Sequence, residues 1–397
     1  MSVISLSQNR PFAGLLAANT ILGAAFPIQL ILGGLAGLML APDAALATLP
    51  SSVQTLAGLL AAAPFSLLMG RFGRRAGFAC GGALTLLGAI LATQALMAAS
   101  FPLLCAAHFL MGAGWASFQY FRFAAGEVVD PKWRPVAISL MLSSLLVAAI
   151  VGPQIFILAQ DALAPFPFAG AYAATGVIAV LGLVPLLAVR IPRPRQDPPA
   201  GSPRLGLIAL SALRRPAIRR AVGIAAISQG VMVFLMIPTP IAMVGCGFSE
   251  ATASDVVRWH IVAMFAPSFF TGFLIQRFGA QTVALTGLAI IVAAASGAAL
   301  GLSAGHFYGA LIVLGLGWNF GFVGSTAMLD AAVSEAEKAA VQGANDTIIA
   351  LVSTIGAFAA GFVLSSVGWA ALAVISGGIV VLALAALIAD QLRSARP

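Results

Sequence analysis

Charge is what this sequence has least of. Of 397 residues only 8% are Asp, Glu, Lys or Arg, against 61% hydrophobic, and the mean hydropathy is +1.04. So little polar surface cannot cover a water-soluble core, which excludes a soluble globular protein and makes lipid the solvent for most of the chain. Cysteine is nearly as scarce. Cys80, Cys105 and Cys246 are too few and too scattered for a disulfide framework, and no C-x-x-C pair offers a zinc or redox motif. Ser/His/Asp, Walker and zinc-protease spacings are missing too, so neither enzymatic chemistry nor a resident cofactor is expected. The net charge is +8, but the basic residues sit in a few short loops and form no stripe with interleaved aromatics, which argues against nucleic acid as a partner.

What is present is a series of apolar runs. A helix needs about 20 apolar residues to cross the hydrocarbon core. Twelve stretches qualify, near 12–39, 47–69, 76–99, 101–125, 135–160, 168–190, 218–243, 253–275, 281–303, 305–328, 340–365 and 368–390. The first, after Arg10, is too long for a signal peptide and reads as a retained span. Arg71, Arg74 and Arg75 follow span 2, Lys132 and Arg134 follow span 4, Arg190 to Arg220 surround the gap after span 6, Arg277 follows span 8 and Lys338 follows span 10. All these loops lie on one side. The opposite loops, around Asp43, Asp161 and Glu250, carry no Lys or Arg, so the positive-inside rule predicts cytoplasmic termini. The expected organisation is an all-α membrane protein with a six-helix half at 1–190, a cytoplasmic linker at 191–217 and a second six-helix half at 218–397.

The halves repeat one another. Gly112-Ala113-Gly114-Trp115 in span 4 returns as Gly315-Leu316-Gly317-Trp318 in span 10, 203 positions on (315 less 112). Arg71-Phe72-Gly73 after span 2 returns as Arg277-Phe278-Gly279 after span 8, 206 positions on (277 less 71). Two matches at nearly one offset indicate a duplicated six-helix unit. This plan resembles the major facilitator superfamily, and Met69-Gly70-Arg71-Phe72-Gly73-Arg74-Arg75 is similar to that family's loop signature between spans 2 and 3, with Gly70 where an acidic residue is usual. The resemblance implies a secondary transporter working by alternating access, with its substrate near the midplane between the halves.

Ionisable groups inside a bilayer are costly, so each is a functional candidate. No carboxylate falls near the middle of a span. Glu127, Asp130, Asp330, Glu335, Glu337 and Asp346 lie at cytoplasmic ends, and Asp43, Asp161, Glu250 and Asp255 at outer ends. A buried carboxylate proton relay is therefore not expected, and the membrane potential is the favoured energy source. Arg122 and Arg258 read as snorkelling or packing residues. Of three histidines, His108 reads as a satisfied core residue and His306 as solvated. His260 has company. Met232 and Met236 in span 7, and His260 and Met264 in span 8, are each four apart and so share a helix face. Counted at about 1.5 Å per residue, the two pairs fall at matching depths near the midplane. Thioethers and an imidazole are a soft set that suits Cu(I); a methionine stripe is usually just core, and four such residues at matched depths weaken that reading.

These pairs, with Met264-Phe265-Ala266-Pro267-Ser268-Phe269 and Gly315-Leu316-Gly317-Trp318-Asn319-Phe320, resemble the CcoA-type copper importers of the same superfamily. The resemblance implies Met232, Met236, His260 and Met264 as ligands of a transported copper ion, Cu(I), supplied for cbb3-type cytochrome oxidase. It also implies the bacterial inner membrane and copper chaperones on the periplasmic or cytoplasmic side. Met243 and Cys246 would admit the metal at the outer mouth, Cys246 being equally readable as a small apolar residue. Cys80 and Cys105 do not fit the other cysteine places of those importers. Riboflavin permeases share this branch, so import of an organic solute such as a flavin is the alternative. Trp115, Gln119, Gln229 and Asn319 offer it stacking and amide hydrogen bonds. At the inner gate Arg71, Arg74 or Arg75 is expected to meet Asp346, which is also explained by ordinary complementation of a helix start.

Overall fold

A computed structural model of the protein describes residues 9–130, 133–187, 189, 191 and 203–394. Lys132, Arg190 and linker positions 192–202 lie outside the described residues, as do the side chains of Arg134 and Glu335. Two compact units divide the chain, Met1–Ala200 and Gly201–Pro397. Every regular element among the described residues is a helix.

In the N-terminal unit span 1 is Arg10–Gly23 continued by Ala25–Leu40, span 2 is Leu49–Phe72, span 3 is Arg74–Met97, span 5 is Arg134–Ala159 and span 6 is Ala169–Leu187. Span 4 is Phe101–Phe118 followed, after a turn at Gln119 and Tyr120, by Phe121–Glu127. Prolines open several of these helices, where the missing N–H leaves no bond unmade. In the C-terminal unit a short helix, Pro203–Leu213, takes up part of what reads from the sequence as linker. Span 7 is Pro216–Met236 plus Thr239–Gly245, span 8 is Glu250–Phe265 plus Ser268–Phe278, span 9 is Ala280–Ala299 and span 10 is Ala304–Ala332. The breaks in spans 7 and 8 fall at Ile237–Pro238 and Ala266–Pro267, where proline interrupts the backbone ladder.

Among the described residues, eleven helices are long and apolar enough to cross a membrane, and the last, Ala340–Asp390, has 51 residues. At about 1.5 Å per residue that is more than twice the ~30 Å hydrocarbon thickness. Its parent helix, Glu335–Ser394, breaks at Gly368 (φ 80°), which separates spans 11 and 12 and brings the crossings to twelve. The outer faces carry Leu158, Phe273 and Leu382, exposed by 83, 71 and 73%, as lipid contact requires and water would not tolerate.

The repeat is physical. Gly73 and Gly279, at the joints after spans 2 and 8, hold φ of 91° and 84°, a conformation glycine alone adopts readily. A Cβ at Gly112 would strike the carbonyl oxygen of Gln54, and one at Gly315 would strike that of His260. A Cβ at Gly114 would meet the carbonyl oxygen of Gly81, and one at Gly317 that of Gly287. Spans 4 and 10 therefore correspond at 203 positions, while spans 2 and 8 (260 less 54) and spans 3 and 9 (287 less 81) correspond at 206. In both units small residues let helices approach closely enough to pack without a hydrophobic driving force.

Candidate functional site

The Met and His candidates of the C-terminal half lie inside it. Met232, Met236, Met243, His260 and Met264 are buried, and Cys246, capping Thr239–Gly245, is exposed. Because the helix stops at Met236 and restarts at Thr239, seven-residue periodicity does not carry the Met236 face across to Met243. In an unbroken helix a spacing of seven would put Met243 on the Met236 face, and the proline break removes that relation. His260 Nδ1 donates to the carbonyl oxygen of Leu311 (2.7 Å), so its proton resides there. Nε2 keeps its lone pair, buried and without a hydrogen-bond partner. An imidazole anchored through one nitrogen and bare at the other is set up to bind a metal or accept from a solute donor.

The N-terminal half shows what neighbours these positions have. There Tyr172 Oη donates to His108 Nε2 (2.7 Å), His108 Nδ1 donates to Gln54 Oε1 (2.7 Å) and Gln54 Nε2 donates to Gln29 Oε1 (2.9 Å). His108 is thus satisfied at both nitrogens. Gln54 corresponds to His260 (206 on) and His108 to Leu311 (203 on). The cross-link from span 2 to span 4 through Gln54 and His108 has its counterpart in the bond from His260 to Leu311. This amide chain was visible in the sequence only as two glutamines within apolar spans.

The aromatic and amide candidates divide. Phe26 stacks on Trp115 at 4.4 Å, and Gln229 accepts a hydrogen bond from Trp318 Nε1 (2.6 Å). Asn319 is engaged at both ends of its amide. Its Nδ2 donates to the Met264 carbonyl oxygen and to Ser268 Oγ, each at 2.7 Å, and its Oδ1 accepts from Thr271 Oγ1 at 2.7 Å. Pro267 has no N–H, and Asn319 satisfies the backbone where span 8 breaks instead of offering itself to a solute. Gln119 is exposed on span 4 and lines a cleft with Asn19, Trp115 and Arg122.

Most arginines are engaged. Arg74 Nη2 and Nε bind Glu127 at 2.6 and 3.2 Å, and the guanidinium lies over Tyr120. Arg75 donates to the Leu187 carbonyl oxygen at 3.1 Å, while Arg71 is exposed over Phe72. Within its own half Arg71 is therefore the least committed of the three expected gate residues. Asp346 accepts from the Asn345 amide at 3.2 Å. Arg258, which the sequence suggests is a snorkelling residue, forms an ion pair with Asp255, which also accepts from Tyr308 Oη (2.6 Å). His306, exposed, bonds Ser303 Oγ. Cys80 packs against the N-terminal core, and half-buried Cys105 lies in the same half. Among the described residues no group of three or more His, Cys, Asp or Glu is placed to hold a metal ion.

Comparison with known proteins bears on both readings. A family model described as Major Facilitator Superfamily matches residues 12–266. The chain is 41% identical over 347 residues to the riboflavin transporter RfnT of Brucella anthropi, covering 86% of each chain. It is 32% identical over 389 residues to the uncharacterized MFS-type transporter YdeG of Bacillus subtilis, covering 94% of this chain and 88% of that one. Among solved structures, the nucleoside transporter NupG is similar with a TM-score of 0.72 at 14% identity, covering 96% of this chain and 98% of that one. FucP in the outward conformation gives a TM-score of 0.63 at 18% identity, covering 97% and 99%. At such identities the solved structures speak for the fold alone. With its duplicated six-helix halves and a 41% identical transporter along most of its length, the chain belongs to the Major Facilitator Superfamily and is a multi-pass secondary transporter.

Proposed function

We propose that the protein imports a flavin-like organic solute, with riboflavin as the first candidate, across a bacterial inner membrane by alternating access. Both termini are assigned to the cytoplasm on the distribution of Lys and Arg among the loops. The observation that carries the reading is the 41% identity to a riboflavin transporter across 86% of both chains. Trp115, with Phe26 stacked on it, and the unsaturated amide of Gln119 support it, since a flavin needs an aromatic plate and convergent polar groups. The test is uptake of labelled riboflavin by a riboflavin-auxotrophic bacterium lacking its own importer. Expression should restore growth at low external riboflavin. A chain present in the membrane at normal level that restores neither growth nor uptake would remove the flavin reading.

Import of Cu(I) for cbb3-type oxidase is a second reading, favoured by one observation: the buried, unpartnered Nε2 of His260, with Met264 one turn away on the same span. None of the relatives named above is named for copper. Cellular copper content and cbb3 oxidase activity in a deletion strain, with and without added copper, separate the readings. On the copper reading, His260→Ala or Met232→Ala abolishes accumulation at unchanged protein level, and wild-type copper uptake by His260→Ala ends it.

A further inference from the structure

Among the described residues, Arg122 is the one partly buried cation that makes neither a hydrogen bond nor an ion pair. Every other arginine or lysine with a described side chain is either exposed or engaged, as with Arg74 on Glu127, Arg215 on Glu337 and Lys338 on Asp330. Arg122 Nε is shut off from solvent without a partner, and the guanidinium lies over the Phe123 ring at 4.8 Å. Sequestering part of a charged fork with nothing to receive its N–H groups is unfavourable, and such a group is retained where a ligand completes it.

What surrounds Arg122 states the ligand's chemistry. The turn at Gln119 and Tyr120 re-aims the chain, so that Arg122 closes a cleft of the N-terminal half whose other walls include Trp115, Gln119, Asn19, Met141 and Leu145. Asn19 spends its Nδ2 on the Met141 carbonyl oxygen (2.9 Å) and Ser144 Oγ (2.8 Å), which leaves its carbonyl oxygen as an acceptor. Gln119 makes no side-chain hydrogen bond of its own. The cleft thus combines an aromatic plate, a planar fork of donors and amide groups able to accept one N–H. Among the described residues, none of those lining it is acidic.

Resting on the flavin reading, we propose that Arg122 recognises the imide edge of a planar heteroaromatic solute, donating to one of its carbonyl oxygens while Asn19 or Gln119 accepts the adjacent N–H and Trp115 extends the stack. A guanidinium suits this because its donors lie in one plane, whereas a lysine presents a point charge. The test measures riboflavin and 3-methylriboflavin binding to the purified full chain by flavin fluorescence. Wild type should bind riboflavin and bind the N3-methylated flavin at least about 10-fold more weakly. Arg122→Gln should weaken riboflavin by about 10–100-fold and largely erase the difference between the flavins, with Arg122→Lys intermediate. The comparison of two flavins on unaltered protein stands even where a variant fails to fold. Equal affinity of wild type for both, or riboflavin affinity unchanged in a folded Arg122→Gln, overturns the proposal and leaves flavin import standing. A wild type that binds neither flavin overturns both.

Discussion

Replacing Asn319 by leucine should destabilise the protein by about 3–5 kcal/mol. The side chain is fully buried and makes three hydrogen bonds at 2.7 Å, all to span 8, one before its break at Ala266–Pro267 and two after it. Hydrogen bonds between membrane helices average about 0.6 kcal/mol, so three lost bonds amount to about 2 kcal/mol. Leaving the Met264 carbonyl oxygen buried without its donor adds about 1–3 kcal/mol. Thr271→Val should be much milder, within about 1 kcal/mol, since it removes one bond to Asn319 and Thr271 otherwise serves only the Pro267 carbonyl oxygen. At roughly 2–4 °C per kcal/mol for a unit of this size, Asn319→Leu should lower the melting temperature by roughly 6–20 °C. The assay is thermal unfolding of detergent-purified protein followed by tryptophan fluorescence at one fixed scan rate. A midpoint for Asn319→Leu no lower than that of Thr271→Val would refute the assignment of Asn319 as the brace of span 8.

Gly315→Ala should lose about 1–3 kcal/mol by driving a methyl group against the His260 carbonyl oxygen and Ala263, while Gly309→Ala, with open space around it, should be neutral or slightly stabilising; equal melting temperatures would contradict the packing argument. Glu127→Gln should cost about 1–3 kcal/mol by leaving the partly buried Arg74 without its carboxylate, and the exchanged pair Arg74→Glu with Glu127→Arg should recover part of the loss in a double-mutant cycle. The Glu337 carboxyl is held below its ordinary value of 4.5 by the Ser334 hydroxyl and amide and by the Arg215 guanidinium. A carboxyl depressed in the folded state stabilises it above the unfolded value, and that contribution is lost as pH falls through the folded value. Melting temperatures of wild type and Glu337→Gln should therefore differ at neutral pH and converge below the ordinary carboxylate range, and a gap that widened with acid would reverse the assigned sign.

Copper and flavin readings rest on different residues, and the structure treats the two sets differently. Asn319, offered by the sequence as a solute amide, is consumed in holding span 8, and Gln229 is engaged by Trp318. Arg122, which its position alone suggests is a snorkelling residue, stands partly buried without a partner. The interruption at Ile237–Pro238 separates Met236 from Met243, so a handover from Cys246 inward has to follow the bend.

Much of the architecture was determined by the sequence alone, because lipid leaves few options. A backbone in hydrocarbon must satisfy its own hydrogen bonds, so each run of about 20 apolar residues has to be a helix, and the twelve runs were countable from their length. The repeat was legible for a related reason: Gly73 and Gly279 hold a backbone conformation few other residues accept, and Gly112 and Gly315 sit where a neighbouring carbonyl leaves no room for a Cβ. Helical spacing also put His260 and Met264 on one face. It could not say what that face meets, since periodicity orients a residue about its own helix axis and leaves the rotation of that helix against its neighbours open. Tertiary packing alone decided that Leu311 takes the Nδ1 proton of His260, that Asn319 serves the broken span and that Arg122 finds no partner. Those outcomes depend on which donors and acceptors lie within 3 Å across helices far apart in sequence, and in a bilayer, where no water can substitute, that proximity settles which polar groups remain free to bind a solute.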